Sequence, residues 1–430
     1  MIYLILFLGF IIRLVNLNQS LWLDEAISVL AAKNYSYAAL ITRFSPGDFH
    51  PPLYYLGLKF WDSFWGFSEI ASRLPSVIFG VAACFMVYLI GKKLFNRQTG
   101  LWAAAFLAVN PLAVYYSQEA RMYALAMLAV AMAVYFYLAG KRNLFILTLL
   151  IALYTDYLTW LMLPVFLLLA KDRKNFLKSF LLLFIFLLPW LPFLFRQLGA
   201  GWTLAGNNPA WREVVGGFSL KALPLTLVKF TVGRITLDNK VLYALVFGIP
   251  ALFYLWLIKG AKERTLWFWL LIPLGLGYLL SLIVPVFSYF RFLFVLPAFL
   301  LLVAYGASRY SWAPGAVIAV SFASLVFFNL HPRFWREDWR GAVAYMESNG
   351  GRAVIPSLAQ AAPLYYYRHN LQIEDKNNLT LNPTGNVYLL RYVQEIFDPQ
   401  DRERLAIESA GFQKASERNF NGVVVWTYRL

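Results

Sequence analysis

Asp24 and Glu25 stand side by side in Trp22-Leu23-Asp24-Glu25, directly after a long apolar run. Adjacent carboxylates so close to apolar surroundings are costly unless they are solvated, paired or functional. A general base is one use for such a group, placed to take a proton from an attacking hydroxyl. Helix chemistry accounts for the same pair, with Asp24 as N-cap and Glu25 in the first turn of an amphipathic helix. The two uses are compatible, since a cap fixes the direction of its carboxylate.

Three further segments carry chemistry. In Phe49-His50-Pro51-Pro52-Leu53-Tyr54-Tyr55, paired prolines stiffen the backbone and Pro51 pushes residue 50 out of helical geometry. His50 is then held at a helix start near Tyr54, although a loop turn with an incidental histidine fits the same spacing. In Tyr115-Tyr116-Ser117-Gln118-Glu119-Ala120-Arg121-Met122-Tyr123, the Glu-x-Arg spacing serves a structural ion pair, a snorkelling arginine, or an arginine that binds an anionic lipid headgroup. In Ser288-Tyr289-Phe290-Arg291, a cation at a helix N-terminus opposes the dipole, so an anionic partner is expected. A phosphate would satisfy both the guanidinium and the free backbone donors of that helix end. Asp24, Glu25, His50 and Glu119 also form an oxygen-rich set with one imidazole, compatible with Mg, Mn or Zn. No spacing fixes such a site, and arginines can hold phosphate alone, so the pattern permits a divalent metal cofactor without requiring one.

A membrane must position these residues. The chain has 430 residues, of which 60% are hydrophobic and 14% charged, against roughly 25% charged in soluble proteins. That excludes soluble, disordered and coiled-coil classes. The net charge of +16 does not point to nucleic acid as a partner, because a duplex binder clusters its charge on a solvated face. Cys84 is the single cysteine and lies in an apolar run, so a disulfide framework and a cysteine metal site are excluded.

Apolar runs of roughly bilayer-spanning length cover about 2–17, 71–91, 101–117, 122–140, 143–155, 157–170, 176–196, 240–258, 265–284, 290–307 and 312–330. They predict an α-helical polytopic membrane protein with about eleven transmembrane helices. The first run lacks a cationic start and a small-residue cleavage site, so it reads as a retained helix. Arg13 within it is expected to snorkel or to pair. Residues 1–330 hold 26 Lys/Arg and 11 Asp/Glu, a net +15, whereas residues 331–430 hold 12 and 11, a net +1. The expected division is therefore a transmembrane domain, 1–330, with outer loops 18–68 and 197–239, and a small extracytoplasmic α/β domain, 331–430. Both loops mix tryptophan, proline and glycine in a way that suits short helices in the headgroup layer. In the tail, helices are expected at 337–348, 358–368 and 399–410, and strands at 352–356, 386–393 and 422–429. The tyrosine run 365–367 suits tail core or an interface belt.

Cations gather in alternate short loops, at Lys92, Lys93 and Arg97, at Lys141 and Arg142, at Lys171 to Lys178, at Lys259 to Arg264, and at Arg309. The positive-inside rule makes these cytoplasmic, places the N-terminus inside, and puts the tail outside, in a multi-pass protein of the cytoplasmic (inner) membrane. Of the acids in the body, Asp172 and Glu263 fall inside. Asp24, Glu25, Asp48, Asp62, Glu69, Glu119, Asp156, Glu213 and Asp238 fall at or near the outer face. The rule does not sort acids, so this asymmetry points to a chemical site at the outer surface.

Trp-x-Asp-Glu after the first helix, His-Pro-Pro-Leu further on, and the Glu-x-Arg turn together resemble the GT-C glycosyltransferases. The likeness is to the protein O-mannosyltransferase and aminoarabinose transferase superfamily, in particular its bacterial-type members. Arg73-Leu74, Arg291 with Leu293 and Pro297, and Glu337-Asp338-Trp339-Arg340 are similar to the same group. The resemblance implies a GT-C-like fold, a polyprenyl-phosphate sugar donor, a glycan, lipid or protein acceptor on the outer side, and inversion at the anomeric carbon. It implies Asp24 at the essential acidic position, and Arg121 and Arg291 at phosphate-contacting positions. Glu25 is expected to orient the acceptor or hold a cation. His50, Tyr54, Arg73, Glu119 and Tyr123 are expected to line the substrate site. His-Pro-Pro is followed here by Leu53-Tyr54-Tyr55 rather than the Leu-Gly-Lys of eukaryotic protein mannosyltransferases, which argues against a serine or threonine acceptor.

The chemistry is coherent without the resemblance. Glycosyl transfer passes through an oxocarbenium-like state in which the bond to the leaving group is largely broken before the nucleophile closes. A carboxylate is a poor base for a free alcohol, but an adequate one once the hydroxyl acidifies on bonding to the cationic carbon. Arginines aimed at the leaving phosphate stabilise the charge it gains. A polytopic transporter or lipid flippase is the alternative function. Transporters often carry internal repeats and midplane ionisable groups, whereas here no repeat is visible and the acids lie at the outer edge.

Overall fold

The computed structural model describes residues 1–171, 173–207, 216–355, 361–375 and 385–430. Asp172, Trp211 and Glu213 lie outside the described residues, as does the start of the helix expected at 358–368.

The body is helical, and a helix falls in every apolar run. The principal helices are α1 (Ile2–Leu14), α2 (Leu23–Asn34), α3 (Leu53–Trp65), α4 (Glu69–Leu94), α5 (Arg97–Val109), α6 (Pro111–Ser117), α7 (Tyr123–Leu138) and α8 (Arg142–Leu153). They continue with α9 (Met162–Leu169), α10 (Arg173–Leu187), α11 (Leu191–Asn207), α12 (Ala222–Val232), α13 (Lys240–Ile258), α14 (Arg264–Leu280), α15 (Leu296–Ala307) and α16 (Ala313–Leu330). Within a bilayer each backbone must satisfy itself, which leaves helices as the solution for apolar segments of this length. Large apolar side chains such as Phe7, Leu181, Leu245 and Ile283 are exposed, as a lipid-facing surface requires. Among the described residues four stretches are long and apolar enough to cross a membrane: Glu69–Leu94, Phe176–Gly201, Lys240–Ile258 and Ala313–Leu330, or five if the bent pair α5–α6 counts as one span. The remaining apolar helices are shorter, at 10–17 residues.

α4 shows the local logic. The Ser68 side chain accepts from Ala71 N–H, Glu69 opens the first turn, and Lys92 and Lys93 close the last, so cap and dipole agree with the charges. A Cβ on Gly91 would lie 2.7 Å from the Gly100 Cα. α4 and α5 therefore touch backbone to backbone, the close approach that small residues allow.

The run at 101–117 is not one straight helix: α5 and α6 meet at 60°. Pro111 has no N–H to continue α5, and the Asn110 side chain accepts from Leu112 and Ala113 to start α6. The break frees the last carbonyls of α5, and Arg13 takes them, donating to Ala108 O at 2.8 Å and Leu107 O at 3.2 Å. Arg13 is fully buried. It neither snorkels nor pairs with an acid; it caps a helix C-terminus, where a cation is favoured. An apolar cavity of about 280 Å³ among α1, α5 and α16, lined by Ile5, Leu8, Trp102 and Ile318, carries none of the candidate residues.

After α16 the chain builds a five-stranded sheet in the order β2-β1-β3-β5-β4. Its strands are β1 (Arg352–Ile355), β2 (Gln372–Asp375), β3 (Val387–Leu390), β4 (Gln413–Phe420) and β5 (Val423–Arg429). β1 is parallel to β2 and β3, and β5 is antiparallel to β3 and β4. Helices α17 (Trp339–Ser348), α18 (Ala361–Tyr367) and α19 (Arg402–Ser409) accompany the sheet. The expected strands at 352–356, 386–393 and 422–429 are present, and β2 and β4 are additional. α17, α18 and the sheet share a core around Trp339, Leu364 and Tyr388, and Leu23 of α2 packs against it.

The tail is tied to the first outer loop by hydrogen bonds. Leu21 N–H donates to the Tyr367 hydroxyl at 2.6 Å, Tyr366 donates to Phe67 O at 2.6 Å, and Arg340 N–H donates to Ser20 Oγ at 3.1 Å. Tyr366 and Tyr367 thus lie at the interface, while Tyr365 is exposed.

Candidate active site

α2 begins at Leu23 with Trp22 as its N-cap, so Asp24 falls inside the first turn rather than on the cap. Glu25, three residues after the cap, reaches back to accept from Trp22 N–H at 3.4 Å. It is wholly buried. Arg73 donates to its two oxygens at 2.8 and 2.5 Å, and Ala120 N–H donates at 2.8 Å. Burial pushes its carboxyl up, but Arg73 and Arg336 outweigh this and hold it below the usual carboxylate range. Glu25 is therefore placed as a buried anchor, with no oxygen left to orient an acceptor or hold a cation. Arg73 is also fully buried, and its other donors go to Leu17 O, Gln19 O and Ser20 O. The substrate-lining role expected for it is not what the structure displays: it fixes the start of α2.

Asp24 differs sharply from its neighbour. Its carboxylate is 37% exposed, and Arg121 Nη2 is 3.7 Å away. Ser28 Oγ donates to the Asp24 carbonyl at 2.8 Å, and Arg121 Nη1 donates to Ser28 Oγ at 3.1 Å, so side chain and backbone are held by one guanidinium. Arg121 Nη1 also lies 3.4 Å from the Tyr55 hydroxyl, which donates to Asp48 Oδ2 at 2.5 Å. His50 Nδ1 sits 3.1 Å from that same oxygen. Against the cost of burial, His50 and then Arg121 hold the Asp48 carboxyl down at about 2. Asp48 joins His50 and Tyr55 to the site. Tyr54, one residue before Tyr55 on the same helix, is buried beside Ser76.

Arg291 lies in a tight turn closed by its own N–H to Ser288 O at 3.0 Å, just ahead of the helix that continues into α15. The anionic partner expected from the sequence is not found: among the described residues no carboxylate lies within 4.0 Å, and its buried Nε has no acceptor. Tyr123 packs on Phe290 with ring centroids 5.5 Å apart and is within electrostatic reach of both Arg121 and Arg291. Asp156, buried as the cap of a short turn, feels His50, Arg291 and Arg121 together. Arg234, absent from the sequence-derived set, stacks on the Tyr115 ring at 4.4 Å and bears on Tyr116 and Tyr289. Its signal was a cation in an outer loop, where the positive-inside rule expects few.

The tail contributes directly. Arg336 Nη1 donates to Glu119 Oε1 at 2.9 Å and lies 3.8 Å from Glu25 Oε2. Its guanidinium also covers the Tyr115 ring at 4.5 Å. Glu119 is fully buried; burial lifts its carboxyl above the usual range despite Arg336, with Glu25 adding to the rise. A tail arginine thus binds its Oε1, while its buried Oε2 has no partner among the described residues. Tyr392 donates to Glu337 Oε1 at 3.3 Å, and both Glu337 and Asp24 act on the Tyr392 hydroxyl. Sequence reasoning missed Arg336, although it directly precedes the Glu-Asp-Trp-Arg motif.

The metal set proposed from sequence does not converge. Glu119 binds Arg336 through Oε1, Asp24 faces Arg121, and His50 is held by Asp48. Among the described residues no three His, Cys, Asp or Glu side chains gather as a metal would need.

Comparisons with known proteins bear on the family and the fold. A family model for dolichyl-phosphate-mannose-protein mannosyltransferase matches residues 49–195, a span that holds His50, Arg73 and Arg121. No curated protein sequence matches the chain. ArnT from Cupriavidus metallidurans in the apo state is similar in structure, with a TM-score of 0.59 and 12% identity over 99% of this chain and 97% of that one. The same protein bound to undecaprenyl phosphate gives 0.61 and 13% over the same shares. An Archaeoglobus fulgidus oligosaccharyltransferase complexed with Zn and sulfate gives 0.53 and 13%, over 100% of this chain and 72% of that one. With a sequence match over residues 49–195 and a fold shared across nearly its whole length, the chain is a multi-pass membrane glycosyltransferase with the GT-C fold.

Proposed function

We propose that the protein moves a sugar from a polyprenyl-phosphate donor to an acceptor at the extracytoplasmic face of the cytoplasmic membrane, with inversion. The single observation that carries this reading is the contrast between two adjacent carboxylates. Glu25 is closed off by Arg73, whereas Asp24 stays open and is directed by Arg121. Asp24 is the base: the acceptor oxygen bonds to the anomeric carbon from the face opposite the phosphate, and its proton passes to Asp24 as that bond forms. The bond between the anomeric carbon and the phosphate oxygen breaks, and its electron pair stays on the phosphate. Arg291, with donors that no carboxylate among the described residues claims, receives that charge, and Arg234 and Arg121 reinforce the field. The relative bound to undecaprenyl phosphate supports the lipid-phosphate donor. The positive-inside reading of the cationic loops supports an outer site.

Native mass spectrometry of protein extracted gently from its own membranes tests the donor class. A co-purified polyprenyl phosphate, bare or glycosylated, is the expected result. Bulk phospholipid alone contradicts it.

A further inference from the structure

We infer that Arg336, supplied by the C-terminal unit, is a positioning residue for sugar transfer: it completes a buried four-charge cluster that sets the direction of α2 and hence of Asp24. The inference rests on Asp24 acting in the reaction, as proposed above.

The cluster consists of Glu25, Arg73, Glu119 and Arg336, with side-chain exposures of 0, 1, 1 and 5%. It contains two carboxylates and two guanidiniums and is neutral as a unit. Three elements of the body and one of the tail meet in it: Glu25 lies on α2, Arg73 on α4, Glu119 between α6 and α7, and Arg336 just before α17. The contacts form a chain. Arg73 grips Glu25 through both oxygens, Ala120 N–H binds Glu25 Oε1 at 2.8 Å, and Arg336 binds Glu119 at 2.9 Å while standing 3.8 Å from Glu25.

Removing Arg336 leaves two buried carboxylates to one arginine. Uncompensated buried charge is costly, and the cheapest relief is for one carboxylate to move towards water. Glu25 is the immediate neighbour of Asp24, so that movement turns the first turn of α2. Arg336 is itself held in register from both sides: its N–H donates to Gln19 Oε1 of the first outer loop at 2.8 Å, and Asn421 Nδ2 of the tail donates to its carbonyl at 2.9 Å. The seating of the tail is thereby coupled to the direction of Asp24. Arg336 need not touch substrate for this.

A double-mutant cycle tests the coupling, with label transfer in membranes from the producing cells, which supply donor and acceptor, and undecaprenyl phosphate as the binding probe. Arg336→Met is expected to lower the transfer rate at least about tenfold while leaving affinity for undecaprenyl phosphate within about twofold. Glu119→Gln restores neutrality, so the Arg336→Met/Glu119→Gln pair is expected to recover most of the rate, and Arg336→Lys part of it. Should Arg336→Met fail to fold, the double variant carries the test, because its charges balance. A wild-type rate in Arg336→Met overturns the inference. So does a double variant no faster than the single one, or an equal loss of probe affinity and rate. Asp24→Asn is run beside the cycle. If that variant keeps its rate while the 336–119 coupling persists, the base assignment fails and the cluster's effect on the site stands.

Discussion

Glu25 and Arg73 are joined by two hydrogen bonds, at 2.8 and 2.5 Å, across 48 positions of sequence, and neither side chain reaches solvent. This buried pair sits one residue from an open carboxylate. One acid thus fixes a helix, and in the proposed reaction the next one faces the acceptor.

Breaking that pair leaves a buried charge uncompensated. Arg73→Ala is expected to cost on the order of 3–5 kcal/mol, read as a lower thermal unfolding midpoint together with lost transfer. Arg73→Lys keeps the charge but loses the fork, so it should fall between wild type and Arg73→Ala. Equal stability of all three proteins would show that the pair does not anchor α2.

Among the described residues Arg291 has no carboxylate partner, so its removal should spare folding. Arg291→Ala is expected to weaken binding of undecaprenyl phosphate by about ten- to a hundredfold with an unchanged unfolding midpoint. A large fall in the midpoint at constant affinity would reassign it to structure.

Asp48 supplies a pH dependence. Its carboxyl is held down at about 2 by His50 and Arg121, below an ordinary aspartate near 3.9. Sign follows from linkage: a depressed acid contributes stability that is complete above its unfolded value and is lost as pH falls through its folded value. The 48–55 segment should therefore loosen between about pH 4 and pH 2. Asp48→Asn should flatten the acid slope of the unfolding midpoint in that window, and an unchanged slope would place the acid sensitivity elsewhere.

Arg13 holds the break between α5 and α6. Arg13→Met leaves the Leu107 and Ala108 carbonyls without their donor, at about 1–3 kcal/mol for a buried group left unpaired. The melting midpoint should drop while affinity for undecaprenyl phosphate persists. A wild-type midpoint would mean that water or lipid headgroups replace the guanidinium.

The membrane class and the apolar helices were legible in the sequence because hydropathy is a one-dimensional signal. So were Asp24, His50, Arg121 and Arg291, whose residue types are out of place beside apolar runs. The roles of Glu25, Arg73 and Glu119 were not, because burial and partner choice depend on contacts across many residues. Arg13 was misread for a related reason: its acceptors are carbonyls freed by a bend at Asn110-Pro111, and no acid marks them. β4 was missed because its side chains are nearly all polar and exposed, as befits an edge strand. The Asn421-Gly422 turn beside it, with φ of 49° and 101°, is the hairpin signal that would have revealed it. Arg336 was hidden because a tail residue completes a site in the body.

The most direct measurement is sugar transfer by Asp24→Asn in membranes of the producing cells, with undecaprenyl phosphate binding measured in parallel. Assignment of Asp24 as the base predicts transfer reduced about 10²–10⁴-fold, the usual span for a lost general base, with the lipid phosphate still bound. Near wild-type transfer by Asp24→Asn would contradict it.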